Sequence, residues 1–223
     1  MTAKARISAI NRFISGCKAD NIYNDLQAAC VMAGWDGLAG ALTPLVGASP
    51  TNSGLSTYDR GLGITGDGSG FVNSNYSTSS LSSQNDFHLS VFPSSVNEAT
   101  SLTYHALGSG GDVYLRDNVT NETFRPNSVE VVQKAGSAEA GYLLASSLDG
   151  GSLTTRLNGS SDVTTGTPQA PSSTPIVIFG GSGVSSQETL SFYSIGSATD
   201  LALLDTRVSQ LMADLRAIEG ASI

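Results

Sequence analysis

The sequence predicts a mostly-β sandwich with helices at its two ends, and three observations carry that prediction. Only 13% of the 223 residues are charged and 25 are glycine, a loop-rich composition that suits all-β domains. From Leu62 onward, short apolar segments alternate with turn clusters about every ten residues, the spacing of a sandwich or barrel. After the last such segment, Phe192–Ile195, the residues Leu201, Leu204, Val208, Leu211, Leu215 and Ile218 recur at steps of three and four. Those steps make one apolar seam on a helix. The organisation expected is a helical and extended docking segment over 1–60, then the sandwich over 61–223 with its closing helix at 200–218. A chain of this length buries a full core as one compact domain.

In chain order, residues 3–16 carry Ile7, Ile10, Phe13 and Ile14 on one helical face, and Gly16 interrupts. Residues 20–33 read as a second helix, with Asp20 as its cap and Ile22, Leu26, Ala29, Cys30 and Ala33 on one side. Gly34–Gly37 ends it. Leu38–Val46, with Pro44 inside, reads as a buried irregular or short-helical piece, and 47–61 as a loop rich in Gly, Ser, Asn and Pro. Strands are expected near 62–65, 70–73, 87–92, 102–107, 112–117, 122–125, 129–133, 141–147, 153–158, 162–165, 175–179 and 189–195.

Phe87, Leu89 and Val91 alternate with His88 and Ser90, so one face of that strand is buried. Asn158-Gly159 is a hairpin turn signal, because both residues tolerate positive φ. Residues 166–175 hold three prolines and must be a loop. Pro175–Phe179 is an apolar run fit for a central strand. Ser197 or Thr199 is expected to cap a helix beginning near Asp200. Phe192, Tyr193, Ile195, Leu201, Leu204, Val208 and Leu211 together read as a latch that closes the fold. The seam is too short for a coiled coil, which wants at least about three heptads, so it is expected to pack on its own chain, against Ile22, Leu26 or the sandwich edge.

The net charge of −8 disfavours nucleic acid or an anionic membrane as partner. Four bases, Lys4, Arg6, Arg12 and Lys18, nevertheless fall in the first 18 residues. They read either as contacts for an acidic partner surface or as the solvated face of a helix. No run reaches the ~18 apolar residues of a membrane span, and no leader pattern is evident, so synthesis in a cytoplasm is expected. The sequons at Asn75, Asn118, Asn121 and Asn158 then carry little meaning. Cys17 and Cys30 read as two small buried thiols, with a disulfide as the alternative.

Several stretches are similar to a family of tailed-bacteriophage virion proteins common in marine and cyanobacterial phages. They are Lys18–Gly34, Ala41–Asn52, Gly66–Ser69, His88–Val91, Arg156–Gly159 and above all Phe192–Leu211. The similarity spans most of 18–212, and its motifs are structural rather than catalytic. It implies a concanavalin A-like (LamG-like) jelly roll in which a late strand lies near the first and a helix then packs on the body.

Glycan hydrolases of this architecture need Glu and Asp alternating on one strand. None of the six glutamates has an acid two residues away, so no enzyme is expected. His88 and His105 have no G-x-S-x-G partner and read as satisfied or surface histidines. Gly66–Gly70 and Gly180–Gly183 lack the GK[ST] ending of phosphate loops. Asp117-Asn118 with Asn121-Glu122 offers oxygens for calcium, but a tight Asx turn explains them equally. Tyr58, Tyr76, Tyr104 and Tyr114 read as strand and loop tyrosines, or as sugar-stacking rings. No cofactor or metal is expected.

Two roles follow. The first is a capsid decoration or cement protein that docks on the major capsid protein or other virion proteins and assembles as a homotrimer. The second is a tail-fibre tip or appendage that binds host glycans. Both place the protein in the virion.

Overall fold

The computed structural model describes residues 3–54, 57–96, 103–107, 113–117, 120–181 and 184–220. Helix α1 (Ala3–Ala19) opens the chain, followed by strand β1 (Leu26–Val31), a short helix α2 (Leu38–Ala41) and strands β2 (Pro44–Val46), β3 (Thr51–Ser53) and β4 (Thr57–Asp59). Next come β5 (Gly63–Thr65), β6 (Phe71–Asn73), β7 (Asp86–Ser95), β8 (Thr103–Leu107), β9 (Val113–Asp117), β10 (Asn121–Pro126) and β11 (Val132–Ala135). The remainder is β12 (Leu144–Asp149), β13 (Ser152–Leu157), β14 (Ser160–Thr165), β15 (Val177–Ile178), β16 (Gly180–Gly181), β17 (Val184–Ser185), β18 (Thr189–Gly196) and helix α3 (Leu201–Gly220).

Two antiparallel sheets face each other. The larger runs β14-β13-β12-β7-β18-β1-β2, with β5 and β4 joined beside β18, and the other runs β11-β10-β9-β8-β15-β6-β3. Phe87, Leu89, Val91, Leu144, Tyr193 and Ile195 meet Leu115, Phe124 and Ile178 between the sheets. The opposite face of the larger sheet is apolar too. Phe92, Phe192, Ala29, Val31, Leu143 and Ala145 pack there against Phe13 and Cys17 of α1 and Leu201, Leu204, Val208, Leu211 and Leu215 of α3. The molecule is therefore three layers deep: sheet, sheet and helix pair. In β18 a bulge between Leu190 and Phe192 changes which parity faces which layer. Leu190 lies in the inter-sheet core and Phe192 lies under the helices.

The structure corrects several sequence expectations. Residues 20–33 are not a helix. A turn of 3-10 helix at Tyr23–Asp25 leads into β1, which sits between β18 and β2 inside the larger sheet. Ala28 and Cys30 face the inter-sheet core while Leu26, Ala29 and Val31 face the helices. A strand buried on both faces shows no alternation, so its apolar residues match a helical template as well. Asp20 caps nothing; it holds Arg207 of α3 through bonds of 2.6 and 3.0 Å. Gly16 does not end α1. A Cβ there would lie 2.9 Å from the Arg207 side chain, so glycine lets that arginine cross α1 to reach Asp20.

The buried face of α1 is Arg6, Ala9, Phe13 and Cys17, which leaves Ile7 57% exposed. Helix α3 is capped by Asp200 rather than by Ser197 or Thr199. Its Oδ1 accepts from the amides of Ala202 and Leu203 at 2.9 and 3.0 Å. The loop at 47–61 contains the short strands β3 and β4. The Asn158-Gly159 turn is as read: φ is +50° and +77°, and Leu157 faces Ser160 across the hairpin.

Candidate functional site

The helices cover only part of the larger sheet's outer face. They stop where β18 gives way to α3, and the sheet's own polar side chains fix that stop. Asp86 of β7 accepts the Ala198 amide at 2.5 Å. Ser147 of β12 accepts the Thr199 amide at 3.3 Å. His88 lies fully buried between them. Its Nδ1 is 2.5 Å from the Ser197 carbonyl and its Nε2 2.9 Å from the Ser194 hydroxyl. A carbonyl only accepts, so Nδ1 carries the proton and Nε2 accepts from Ser194, which in turn takes the Ser90 hydroxyl at 2.6 Å. Burial pushes the His88 pKa down to about 4, against the Ser197 hydrogen bond and the Asp86 charge, which both favour the cation. His88 is thus a neutral strut that anchors the β18–α3 corner.

Beside this corner the outer face of β12, β13 and β14 is bare and forms a cleft of about 540 Å³. Ser147, Asp149, Ser152, Thr154 and Ser161 rise from the sheet, and Asp25, Thr199 and Asp200 close the other wall. Burial raises the Asp25 pKa, and the Asp86 charge adds to the rise. The lining combines hydroxyls and carboxylates with the apolar Ala198, Leu201 and Ala202 at the start of α3.

A second groove, about 440 Å³, lies on the far side of Arg156. It is walled by Tyr142, Gly159 and, from α3, Asp205, Thr206, Ser209 and Gln210. Arg156 divides the two. Its Nε binds Asp205 at 2.7 Å and its Nη1 binds Ser161 at 2.9 Å. Asp205 is almost fully buried; it also accepts the Leu143 amide at 3.2 Å and the Ser209 hydroxyl at 3.2 Å. Tyr142 stands 43% exposed at the rim.

The residues singled out from sequence fall elsewhere. Phe192, Leu201, Leu204, Val208 and Leu211 lie in the layer between sheet and helices, and Tyr193 and Ile195 lie between the sheets. Leu204 and Val208 share their cluster with Ile22 and Leu26. Among the four bases, Arg6 is turned inward with its side chain 7% exposed. It packs 5.1 Å over the Trp35 ring and reaches Asp36 at 3.4 Å, so it offers no partner contact. Arg12 pairs with Asp214 at 2.9 Å, Lys18 lies 4.9 Å over Tyr23, and Lys4 is exposed beside Ile7. α1 therefore belongs to the body of the fold and is not a free arm.

Tyr58 and Tyr76 are structural: the Tyr58 hydroxyl bonds the Trp35 backbone and the Tyr76 hydroxyl bonds Gln27. Tyr114 is buried. The side chains of Tyr104 and His105 lie outside the described residues, as do Asn118 and the Ser182-Gly183 end of the second glycine run. Glu122 is buried and accepts the Ala138 amide at 2.9 Å, so it points away from any calcium loop. Asp67 closes an Asx turn with the amides of Ser69 and Gly70. Cys17 and Cys30 are free, buried thiols, raised by burial to about 12 and about 11. Among the described residues no group of three or more His, Cys, Asp or Glu could hold a metal ion, and no helix is long and apolar enough to cross a membrane.

No family model matches the chain, and no curated protein matches it. Solved structures do match. Botulinum neurotoxin type C, whose cell entry depends on interaction with two ganglioside molecules, superposes with a TM-score of 0.56 at 11% identity, over 88% of this chain and 53% of its own. Domain 4 of AbnA, a GH43 extracellular arabinanase from Geobacillus stearothermophilus seen in complex with arabinotriose, gives 0.55 at 16% identity, over 84% and 98%. Trypanosoma rangeli sialidase in complex with sialic acid gives 0.54 at 12%, over 84% and 33%. The fold is a mostly-β jelly-roll sandwich of antiparallel sheets with an N-terminal and a C-terminal helix. The chain spans about half the length of the botulinum structure and a third of the sialidase. In this jelly roll the late strand β18 pairs with β1 through Leu26↔Gly196 and Val31↔Phe192, and α3 then packs back on the outer face.

Proposed function

We propose that this chain is a non-enzymatic glycan-recognition module of a phage tail-fibre tip or other virion appendage. The observation that carries the reading is a hydroxyl- and carboxylate-bearing cleft on the outer face, with a second groove beside it that is lined by Arg156 and Tyr142. Sugar hydroxyls donate to carboxylates and exchange hydrogen bonds with Ser and Thr hydroxyls, which suits the cleft lined by Asp149, Thr154, Ser161 and Asp200. The apolar face of a pyranose packs on an aromatic ring, which suits Tyr142 at the rim of the neighbouring groove. Domain 4 of AbnA, seen in complex with arabinotriose, supports the reading by analogy of fold. The virion context rests on the sequence resemblance.

A glycan array with the purified chain tests it. Binding to a defined set of glycans is expected, weakened roughly fivefold by Asp149→Asn or Tyr142→Ala, since one lost polar or stacking contact is worth about 1 kcal/mol. An array with no signal, or binding untouched by both substitutions, would overturn the proposal.

One observation favours the alternative, a cement protein on the capsid with a homotrimer as its assembled form. The solvent face of α1 presents exposed Ile7 beside Lys4 and Arg12. If that face docks on the major capsid protein, the chain cosediments with empty heads and Ile7→Glu abolishes cosedimentation while the fold is kept. Glycan binding without head binding excludes it.

A further inference from the structure

We infer that two copies of this chain join edge to edge through β14, forming a two-fold dimer with one continuous sheet. All six residues of β14 are exposed, and among the described residues β13 is its only strand neighbour. Natural sheets protect such edges with brevity, proline, bulges or charge. The other end of this sheet does so: β2 has three residues and begins with Pro44. The ends of the second sheet are the three-residue β3 and the four-residue β11. β14 is six residues long, with neither proline nor bulge. It reads Ser-Ser-Asp-Val-Thr-Thr, with a continuous register and one charge. That charge, Asp162, is already neutralised by Lys134 at 2.7 Å.

The hairpin fixes which backbone groups are open. Leu157 and Ser160 flank a two-residue turn with both φ values positive, so they form a hydrogen-bonded pair and the pattern alternates from there. Ser160, Asp162 and Thr164 bond to β13; Ser161, Val163 and Thr165 aim their N–H and C=O outward. An antiparallel second copy centred on Val163 sets Val163 opposite Val163 and Ser161 opposite Thr165. About six backbone hydrogen bonds form, and Asp162 faces Thr164 rather than its own copy. The register is self-complementary, as a two-fold interface requires.

Val163, 69% exposed, gains an apolar partner. Exposed Val129 and Val131 lie at the same side of the sandwich, held there by Glu130, which takes the amide and hydroxyl of Thr167 just beyond β14. They add apolar area to a strand pair that alone falls short of the roughly 1,200 Å² of a stable interface. An isologous edge of this kind closes at two copies, not three.

Sedimentation equilibrium on the purified chain across a concentration series tests this. A monomer–dimer equilibrium is expected. Val163→Lys sets like charges face to face and removes the apolar contact, and is expected to raise the dissociation constant roughly tenfold with an unchanged far-UV spectrum. As a positive control, Val163→Cys treated with a short bis-maleimide is expected to yield covalent dimer, whereas Ser152→Cys is not; Cys17 and Cys30 are buried and stay silent. A chain that is monomeric at every concentration, a trimer, or a dimer indifferent to Val163→Lys would overturn the inference, and capture of some other protein's strand would not rescue it.

Discussion

The buried histidine predicts a specific loss of stability in mild acid. His88 is neutral in the folded protein, with its pKa depressed to about 4, whereas in the unfolded chain it titrates near 6.5. Between those two values the unfolded state binds a proton that the folded state refuses. Stability therefore rises with pH across that window, by about 1.4 kcal/mol per unit. Over the whole window the loss on acidification amounts to about 3 kcal/mol, and below the folded pKa it levels off. The carboxylates held low by hydrogen bonds, Asp20, Asp67 and Glu130, lose their own contribution only around and below pH 4, and Asp25, raised by burial, is common to both proteins and cancels in the comparison. Urea unfolding midpoints of the native protein and of His88→Gln, taken from pH 7 to pH 4, measure the difference directly. The variant is expected to start less stable, because Ser194 and the Ser197 carbonyl lose their partner. It is also expected to be flatter between pH 6.5 and pH 4. His105 is common to both proteins and cancels. Parallel curves would refute the assignment of His88 as a buried neutral strut.

Two further substitutions probe the layers around the same corner. Leu204→Asp buries a carboxylate among Phe92, Leu143 and Val208 and is expected to unfold the chain, since deleting such a leucine alone costs about 2–5 kcal/mol; a folded variant by circular dichroism would mean α3 is not part of the core. Gly196→Ala is expected to cost about 3 kcal/mol, because its Cβ would fall 1.9 Å from the Asp25 carbonyl oxygen. Gly37→Ala, with nothing within 4 Å, is the neutral control, and equal melting temperatures for the two would contradict the close packing of β18 on β1.

What could be read beforehand was set by how each segment is buried. β13 alternates buried with less buried residues and Asn158-Gly159 marks the turn that follows it, so that hairpin was located within a few residues. β1 is dry on both sides and reads as a helix. The three-residue strands β3 and β4 are too short to show a period. Arg6 looked like part of a basic arm because nothing in the sequence says that Trp35 lies beneath it. The clefts were invisible for a different reason: Asp25, Ser147, Thr154, Ser161 and Asp200 share no spacing. They converge because β1 lies beside β18 and β18 beside β7 and β12, an order that no local pattern encodes. Exposed Tyr142 carried no more signal than Tyr58, whose ring is spent on the fold.

The grooves and the closing helix are one construction. The outer face of the larger sheet needs a cover only where it is apolar, over Phe92, Phe192 and Ala145, and there α1 and α3 lie. Where β12, β13 and β14 turn to Ser147, Asp149, Ser152, Thr154 and Ser161, a helix would bury hydroxyls without partners. The apolar–polar boundary on the sheet thus decides where α3 must begin. Asp86, His88 and Ser147, standing on that boundary, bind the backbone of Ser197, Ala198 and Thr199 and turn the chain into the helix. The same three contacts that start α3 also fix the far wall of the cleft. If the cleft holds a glycan as proposed, loosening the corner weakens its binding in proportion to the effect on stability, whereas Ser152→Ala or Thr154→Ala weakens binding and leaves stability alone.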